Sequence, residues 1–342
     1  MVPRGAVWQQ LRQRALDAVP DGTVVRPSAQ VTLGNWLSHG AYRVSAASTK
    51  RFTLETSAAD VGGAIFADAS LHLDHAVEHS TSLRNILSSG LWHSSAWSAV
   101  LVYYWAFFLV LALTRITGRS TWFVSQQGAM VLQGLAPLGG RPPGSGPYVF
   151  SCGPFVSASQ REVILERSAQ TRLHDALWQM WFRELRKIVN EVASTGTELE
   201  SRFYRAQLQA ANLIGDSWPS DLRNSVNYLP GVAYGAMRQS SPAAVLGMID
   251  CERGCSVSSV VNRLEENTAA LQRGVDVRYQ IRTAVMVLID LCFTLDILAH
   301  DLINDVAERR YLDGRWKLAR DRFVRAKYSQ YHSKPWPFNS SY

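Results

Sequence analysis

The spacing of apolar residues changes along the chain. Residues 23–71 hold short apolar segments separated by Gly and Ser, which predicts a few strands or irregular cover. From His72 onward, apolar residues recur at helical spacing, which predicts about six to eight helices. Strands do not alternate with helices and no internal repeat is present, so we do not expect a parallel α/β sheet.

One helix stands out, because residues 96–113 contain no charged side chain. Such a run just reaches the length of a membrane span. In a span, however, the hydroxyls of Tyr103 and Tyr104 would face hydrocarbon, and the next apolar run, at residues 284–298, contains two aspartates. We therefore predict a buried central helix that Ser94 can cap. A single-span membrane protein is the distant alternative.

The remaining segments complete a mainly α architecture. Amphipathic spacing predicts further helices over residues 161–194, 198–214, 256–273 and 277–311. A stretch rich in Pro and Gly predicts a loop over residues 135–160, and turn-forming residues predict a junction over 218–235. We divide the chain into a mixed α/β N-terminal cover (1–80), a helical core (81–312) and a C-terminal tail (313–342).

Composition favours a reduced protein that associates with another chain. Charged residues make up only 18% of 342 residues, while eleven are Trp, so we expect a homodimer or a subunit of a stable hetero-complex. Four cysteines are too few for a disulfide scaffold. The first residues lack the charged start and apolar run of a signal peptide. We expect a cytoplasmic location, and no membrane partner.

The net charge of +7 is concentrated near the C-terminus. Residues 309–342 carry nine basic and two acidic side chains, interleaved with aromatic residues. Guanidinium groups bind phosphates and aromatic rings stack on unpaired bases, so this tail suits RNA or another polyanion. The alternative is an amphipathic helix docked on the core. The candidate nucleic-acid-binding residues are Arg309, Arg310, Arg315, Lys317, Arg320, Arg322, Arg325 and Lys327.

No motif in the sequence indicates a cofactor or a metal. The sequence contains no P-loop, no dinucleotide-binding glycine motif, no nucleophile elbow and no His-Glu-x-x-His. Cys251 and Cys255 lack further zinc ligands nearby. Two helical stripes could hold a metal, but we interpret them as solvated or interface faces; the first joins His72, His75 and His79, and the second joins Asp296, His300 and Asn304. We therefore predict neither a cofactor nor a metal site.

Two short motifs carry a family resemblance. The central helix reads WSAVLVYYWAFF from Trp97, and a later segment reads WPSDLRNSVNY from Trp218. Together they resemble the divergent HEPN-like helical proteins of prokaryotic defence and conflict systems, over roughly residues 83–311. The resemblance implies a helical bundle, usually dimeric. In the active ribonucleases of this family, Arg steadies the phosphate and His transfers protons during cleavage that uses the RNA 2′-hydroxyl.

The family motif maps onto the chain with one departure. Arg223 and Asn224 match its Arg-Asn pair, but Tyr228 stands where the His is expected, with Asn227 beside it. An unperturbed Tyr titrates near pH 10 and is a poor base at neutral pH. The backup catalytic pair is Arg167 and His174, which the helical spacing places on one long helix.

The sequence thus predicts a non-catalytic or weakly catalytic HEPN-like subunit of an antiviral or toxin-type defence system, which binds RNA or a partner protein. The alternative is a metal-independent HEPN-type endoribonuclease with Arg223 and Asn224 in its cleft.

Overall fold

The computed structural model describes residues 2–20, 31–39, 41–88, 94–137, 144–192, 197–228, 235–238, 256–274 and 276–310. Within these residues the chain is mostly helical and contains one five-stranded antiparallel sheet. The prediction of a mainly α protein is confirmed.

The helices and strands within the described residues are each numbered in chain order. The described helices are α1 (Ala6–Ala18), α2 (Leu33–His39), α3 (Ala58–Ser88), α4 (Ser95–Ile116), α5 (Gln126–Leu135), α6 (Leu173–Glu191), α7 (Glu198–Ile214), α8 (Trp218–Tyr228), α9 (Gly235–Arg238), α10 (Val257–Arg273) and α11 (Val277–Arg310). The strands are β1 (Tyr42–Ala47), β2 (Arg51–Ser57), β3 (Arg119–Val124), β4 (Gly146–Phe155) and β5 (Gln160–Arg167). The helices predicted over residues 198–214, 256–273 and 277–311 are confirmed by α7, α10 and α11.

Helix α4 is the centre of the core. The hydroxyl of Ser94 accepts a hydrogen bond from the backbone N–H of Trp97, so the predicted cap is present. The helix packs against α3, α8 and α11, and nearly all of its residues are buried. Among the described residues it is the one helix long and apolar enough to cross a membrane, and 83% of its apolar window is buried inside the protein. The prediction of a core helix is confirmed.

A buried ion pair joins α4 to α3. Arg115, near the end of α4, is 5% exposed, and its Nε lies 3.3 Å from Oδ2 of Asp68 on α3. Burial lowers the pKa of Arg115 and raises the pKa of Asp68, because each charged form loses water. The opposite charge of the partner therefore stabilises the charged form of each side chain in the core.

The sheet has the strand order β1-β2-β5-β4-β3, with every described pair antiparallel. Its inward side chains include Phe52, Leu54, Phe150, Val163 and Leu165, all fully buried. The sheet joins two strands of the predicted N-terminal cover to three strands of the predicted helical core. Helix α3 also runs through position 80. The boundary predicted between residues 80 and 81 therefore does not coincide with any break in the fold.

The helix predicted over residues 161–194 is wrong in its first part. Residues 160–167 form β5, and the helix begins only at Leu173. Val163 and Leu165 point to the core at the two-residue period of a strand, whereas Ile164 lies between them on the other face. Arg161 is also buried, because its guanidinium donates hydrogen bonds to the backbone oxygens of Asp17 and Gly153.

Two predicted irregular segments contain regular structure. Within the loop predicted over 135–160, residues 146–155 form β4. The strand tolerates proline because Pro147 lies at its start and Pro154 lies at an irregularity in its pairing with β5, where a missing N–H breaks no ladder bond. The predicted junction over 218–235 begins with helix α8.

Candidate functional site

Helices α4, α6 and α8 meet around a cavity of about 490 Å³. Helix α4 contributes Tyr103, the first turn of α6 contributes His174, and α8 contributes Ser220 and Arg223. This volume lies within the range of about 300–1,000 Å³ that is typical of small-ligand sites.

The helical period of α8 explains why its polar residues reach the cavity. Trp218, Leu222 and Val226 are buried at four-residue intervals, so they fix one face of the helix to the core. Arg223 follows Leu222 by one position and lies at the edge of that face. Its guanidinium is therefore carried by a packed helix and not by a loop.

The guanidinium of Arg223 is held by polar and aromatic neighbours. Nη2 donates a hydrogen bond to Oη of Tyr104 at 2.8 Å, and Nη1 donates to Oδ1 of Asn224 at 2.9 Å. Its central carbon lies 6.0, 5.7 and 5.8 Å from the ring centres of Tyr103, Tyr104 and Tyr228, respectively. Contacts of this kind stabilise a cation against aromatic faces without neutralising it.

The cavity carries an excess of positive charge. No Asp or Glu forms an ion pair with Arg223 in the part of the chain that the structure describes, and its buried Nε has no hydrogen-bond partner there. Arg172, which is exposed, also lines the cavity, and among the described residues of the lining Asp175 supplies the one carboxylate. Arg223 is half-buried, and a guanidinium that borders a cavity without a carboxylate partner among the described residues is suited to bind an anionic ligand.

His174 lies in the first turn of α6 with its ring against α4. The ring stacks on Phe107, with 4.3 Å between the ring centres and 14° between the planes. Its Nδ1 is 2.6 Å from Oη of Tyr103. Aromatic packing on one face and a hydrogen bond at one edge fix the orientation of the imidazole.

The surroundings of His174 favour the neutral ring. Burial lowers its pKa, and the positive charge of Arg223 lowers it further, while Asp175 acts in the opposite direction. Because the ordinary pKa is about 6.5, His174 is neutral at pH 7.

Tyr103 connects His174 to α8. It is fully buried, and its hydroxyl oxygen is also 3.4 Å from Oγ of Ser220. Burial, which is the largest cause, raises the pKa of Tyr103 to about 12. The phenol therefore keeps its hydrogen at neutral pH.

The structure brings together only some of the residues predicted from the sequence. Arg223, Asn224, Tyr228 and His174 line one cavity. Asn227 is exposed on α8 and does not line it.

The backup pair is separated in the structure. Arg167 does not line the cavity, because it ends β5, where its backbone N–H donates to the oxygen of Lys50. The interpretation of Arg167 and His174 as a pair on one helix is wrong, since a strand ends at the first residue and α6 begins just before the second. In the structure, His174 shares the cavity lining with Arg223, whose charge acts on the imidazole.

Sequence reasoning assigned no role in the cavity to Tyr103, Ser220 or Arg172. The signal for Tyr103 was present, because two adjacent tyrosines in the middle of an apolar helix need partners for their hydroxyls. Nothing in the sequence pointed to Ser220 or Arg172.

The first histidine stripe is solvated only in part, because His75 is exposed whereas His72 and His79 are half-buried. His79 stacks on Tyr104 and on Phe108, with ring centres 5.6 and 5.3 Å apart, and His75 lies 5.2 Å from Phe108. The stripe packs against α4 because the aromatic residues of that helix extend beyond its buried face. Tyr104 thus contacts α3 on one side and Arg223 on the other.

The residues described by the structure contain no group of three or more His, Cys, Asp or Glu side chains that could hold a metal ion. In the second stripe, Nε2 of His300 lies 3.7 Å from Oδ1 of Asp296. The predicted nucleic-acid-binding residues from Arg315 onward lie outside the described residues, as do Cys251 and Cys255. Arg309 and Arg310 form the end of α11.

Comparisons with protein-family models, with curated proteins and with solved structures find no match to this chain. What the fold and the site define is a mainly α protein with an electropositive cavity among three helices.

Proposed function

We propose that this chain is a HEPN-like subunit of a prokaryotic defence system that binds RNA in the cavity between α4, α6 and α8 and cleaves it weakly or not at all. The observation that carries the proposal is Arg223, a guanidinium without a carboxylate partner among the described residues, which lines a cavity beside His174. Guanidinium groups match the geometry and charge of phosphates.

The first turn of α6 supports binding of a phosphate. This turn borders the cavity, and Arg172, at its N-cap, makes no side-chain capping hydrogen bond. The positive end of a helix dipole and free backbone N–H groups attract anions. Together with Arg172 and Arg223, they outweigh the single charge of Asp175.

Tyr228 supports the RNA part of the proposal. Its side chain is 68% exposed although its ring lies against Arg223 at the edge of the cavity. An exposed ring next to a phosphate-binding group can stack on an unpaired base. The same residue replaces the catalytic His of the family motif, which supports weak cleavage or none.

A metal-independent endoribonuclease is the second candidate, and the position of His174 favours it. In this reaction, the neutral imidazole takes the proton of the RNA 2′-hydroxyl, and the 2′-oxygen bonds to phosphorus. The bond to the 5′-oxygen breaks, and that oxygen takes a proton from water. Arg223 would stabilise the charge that develops on the phosphate.

RNA binding and RNA cleavage by the purified full chain, in the presence of EDTA, test the two candidates. For the proposed binding subunit we expect Arg223→Ala to lower affinity for single-stranded RNA by about 10-fold or more, as loss of a charge-assisted contact requires. Arg205→Ala is the matched control, because Arg205 is an exposed arginine on α7. Absence of RNA binding by the wild-type protein would contradict both candidates.

Cleavage distinguishes them. If the protein is a nuclease, the products end in a 2′,3′-cyclic phosphate, and His174→Gln lowers the rate by about 100-fold or more, as removal of a general base does. His39→Gln, at an exposed histidine, is the control. Tight binding without cleavage supports the binding subunit, and cleavage that needs a divalent metal contradicts the nuclease.

We further propose that the protein acts in the cytoplasm, as a homodimer or within a hetero-complex. The basic tail would guide RNA to the cavity, since its charge attracts polyanions.

A further inference from the structure

The hydroxyl of Tyr103 stands between two groups with which it can share a hydrogen. Its oxygen is 2.6 Å from Nδ1 of His174 and 3.4 Å from Oγ of Ser220. A phenol has one hydrogen to donate, so two arrangements exist. Either Tyr103 donates to His174 and accepts from Ser220, or the imidazole N–H donates to Tyr103, which donates to Ser220.

The two distances distinguish the arrangements. Tyr103 is fully buried, so its hydroxyl hydrogen needs an acceptor within good hydrogen-bond distance. Nδ1 of His174 is such an acceptor at 2.6 Å, whereas Oγ of Ser220, at 3.4 Å, lies beyond the usual separation of two hydroxyl oxygens, about 2.5–3.0 Å. If the imidazole donated instead, the phenol hydrogen would have only the long contact to Ser220.

We propose that Tyr103 is a positioning residue that donates its hydroxyl hydrogen to Nδ1 of His174 and thereby holds the imidazole in the tautomer that carries hydrogen on Nε2. The retained hydrogen of this buried phenol is consistent with its raised pKa. The free edge of His174 then presents an N–H donor to the cavity.

An N–H donor at Nε2 of His174 defines which ligand atom the cavity can bind. This part of the inference rests on the proposed function, RNA binding in the cavity. Arg223 and His174 both offer hydrogen, so the site suits an anionic phosphate oxygen that accepts from both. A general base needs a lone pair at the nitrogen that faces the substrate. In the tautomer set by Tyr103 that lone pair is absent, which gives a physical reason for weak cleavage.

The sign of one pKa change tests the inference. When Tyr103 donates to Nδ1, the hydrogen bond stabilises the neutral imidazole, so Tyr103→Phe should raise the pKa of His174. When Nδ1 donates, the bond also stabilises the charged ring, and the same variant should lower it. Nitrogen-15 NMR of histidine-labelled full chain, recorded across the titration, gives both the pKa and the nitrogen that carries hydrogen.

We expect hydrogen on Nε2 in the wild-type protein and a raised pKa of His174 in Tyr103→Phe. Tyr42→Phe is the matched control, because the Tyr42 hydroxyl donates to the backbone oxygen of Leu37, away from His174. Ser220→Ala should keep hydrogen on Nε2, which provides a second measurement if Tyr103→Phe folds poorly. Hydrogen on Nδ1 in the wild type, or a lowered or unchanged pKa in Tyr103→Phe, would overturn the inference.

Addition of inorganic phosphate separates this inference from the proposed function. If phosphate shifts the Nε2 resonance of His174, both are supported. If Nε2 carries hydrogen but neither phosphate nor single-stranded RNA changes its resonance, the role of Tyr103 stands and RNA binding in the cavity fails.

Discussion

Arg223 on α8 donates a hydrogen bond from Nη2 to the hydroxyl of Tyr104 on α4, across 2.8 Å. The same guanidinium reaches Asn224 through Nη1. The planar group is therefore fixed by two bonds before any ligand arrives. This arrangement ties the charge of the cavity to the central helix of the core.

Arg223→Lys should lose most of the RNA affinity that Arg223 provides, even though the charge is kept. A lysine ammonium is a single point of contact and does not reproduce a planar fork that bonds two neighbours. We expect the affinity to fall to within about threefold of that of Arg223→Ala, measured by fluorescence anisotropy with labelled RNA. Arg205→Lys serves as the control, and full affinity in Arg223→Lys would show that only charge matters.

The charges around His174 should move its pKa in opposite directions. Arg223→Gln removes a cation, so the pKa of His174 should rise toward its ordinary value. Asp175→Asn removes the opposing anion, so the pKa should fall. NMR titration of the imidazole C–H signals measures both, and Arg205→Gln should change nothing. Shifts of equal sign in the two cavity variants would contradict the electrostatic account.

Stability should decrease as the pH falls from about 6.5 toward 3, in part because of His72 on α3. Burial, then the charge of Arg115, then His75 lower the pKa of His72 to about 3. The unfolded chain, with a pKa near 6.5, takes up the proton first, so acid favours unfolding, with a slope of at most about 1.4 kcal/mol per pH unit from one group. Urea unfolding at several pH values measures this slope.

His72→Phe should make that pH dependence less steep, because a phenyl ring keeps the stacking on Phe108 but takes up no proton. His39→Asn is the control at an exposed position. An unchanged slope in His72→Phe would mean that other groups cause the acid sensitivity.

Arg115→Met should destabilise the protein by about 3–5 kcal/mol, because it leaves the carboxylate of Asp68 buried without its partner. The double variant Asp68→Leu/Arg115→Met should recover most of this loss, since it removes both charges. Arg119→Met provides the contrast, because Arg119 is 46% exposed and its pair with Glu184 should contribute about 1 kcal/mol or less. Chemical unfolding measures all three, and equal losses in both single variants would contradict the prediction.

Removal of residues 315–342 should weaken RNA binding and flatten its salt dependence. The deletion takes away seven basic residues and one acidic residue, which lowers the net charge from +7 to about +1. Phosphate binding releases counterions, so the affinity of the full chain should fall steeply with salt and that of the truncated chain only weakly. A soluble truncated protein with the original affinity and salt slope would exclude the tail from RNA binding.

The helical part of the fold could be predicted because local spacing specifies it. Helix α4 and its cap at Ser94 follow from a short stretch of sequence. Strands β4 and β5 were missed because their cues conflict: prolines and glycines in β4 indicate a loop, and buried Arg161 hides the alternation in β5. Pairing with distant strands stabilises them, and that pairing leaves no local pattern.

The candidate site could be predicted only on one of its sides. Arg223 and Asn224 belong to a sequence motif and were found together. His174 lies on another helix, and its position beside Arg223 depends on how α6 and α8 pack against α4. No spacing rule connects residues on separate helices, and the motif alone places the expected histidine at position 228, where the chain has tyrosine.

The stacking of His174 on Phe107 has a consequence for the thermodynamics of binding. Phe107 and Tyr103 belong to the core, so the imidazole loses its rotational freedom when the protein folds. A ligand that enters the cavity meets a side chain already in place and does not have to order it, which removes an entropic penalty of about 0.5–1.5 kcal/mol per side chain. Much of the conformational entropy of the binding event is thus already spent in the folding of α4 and α6.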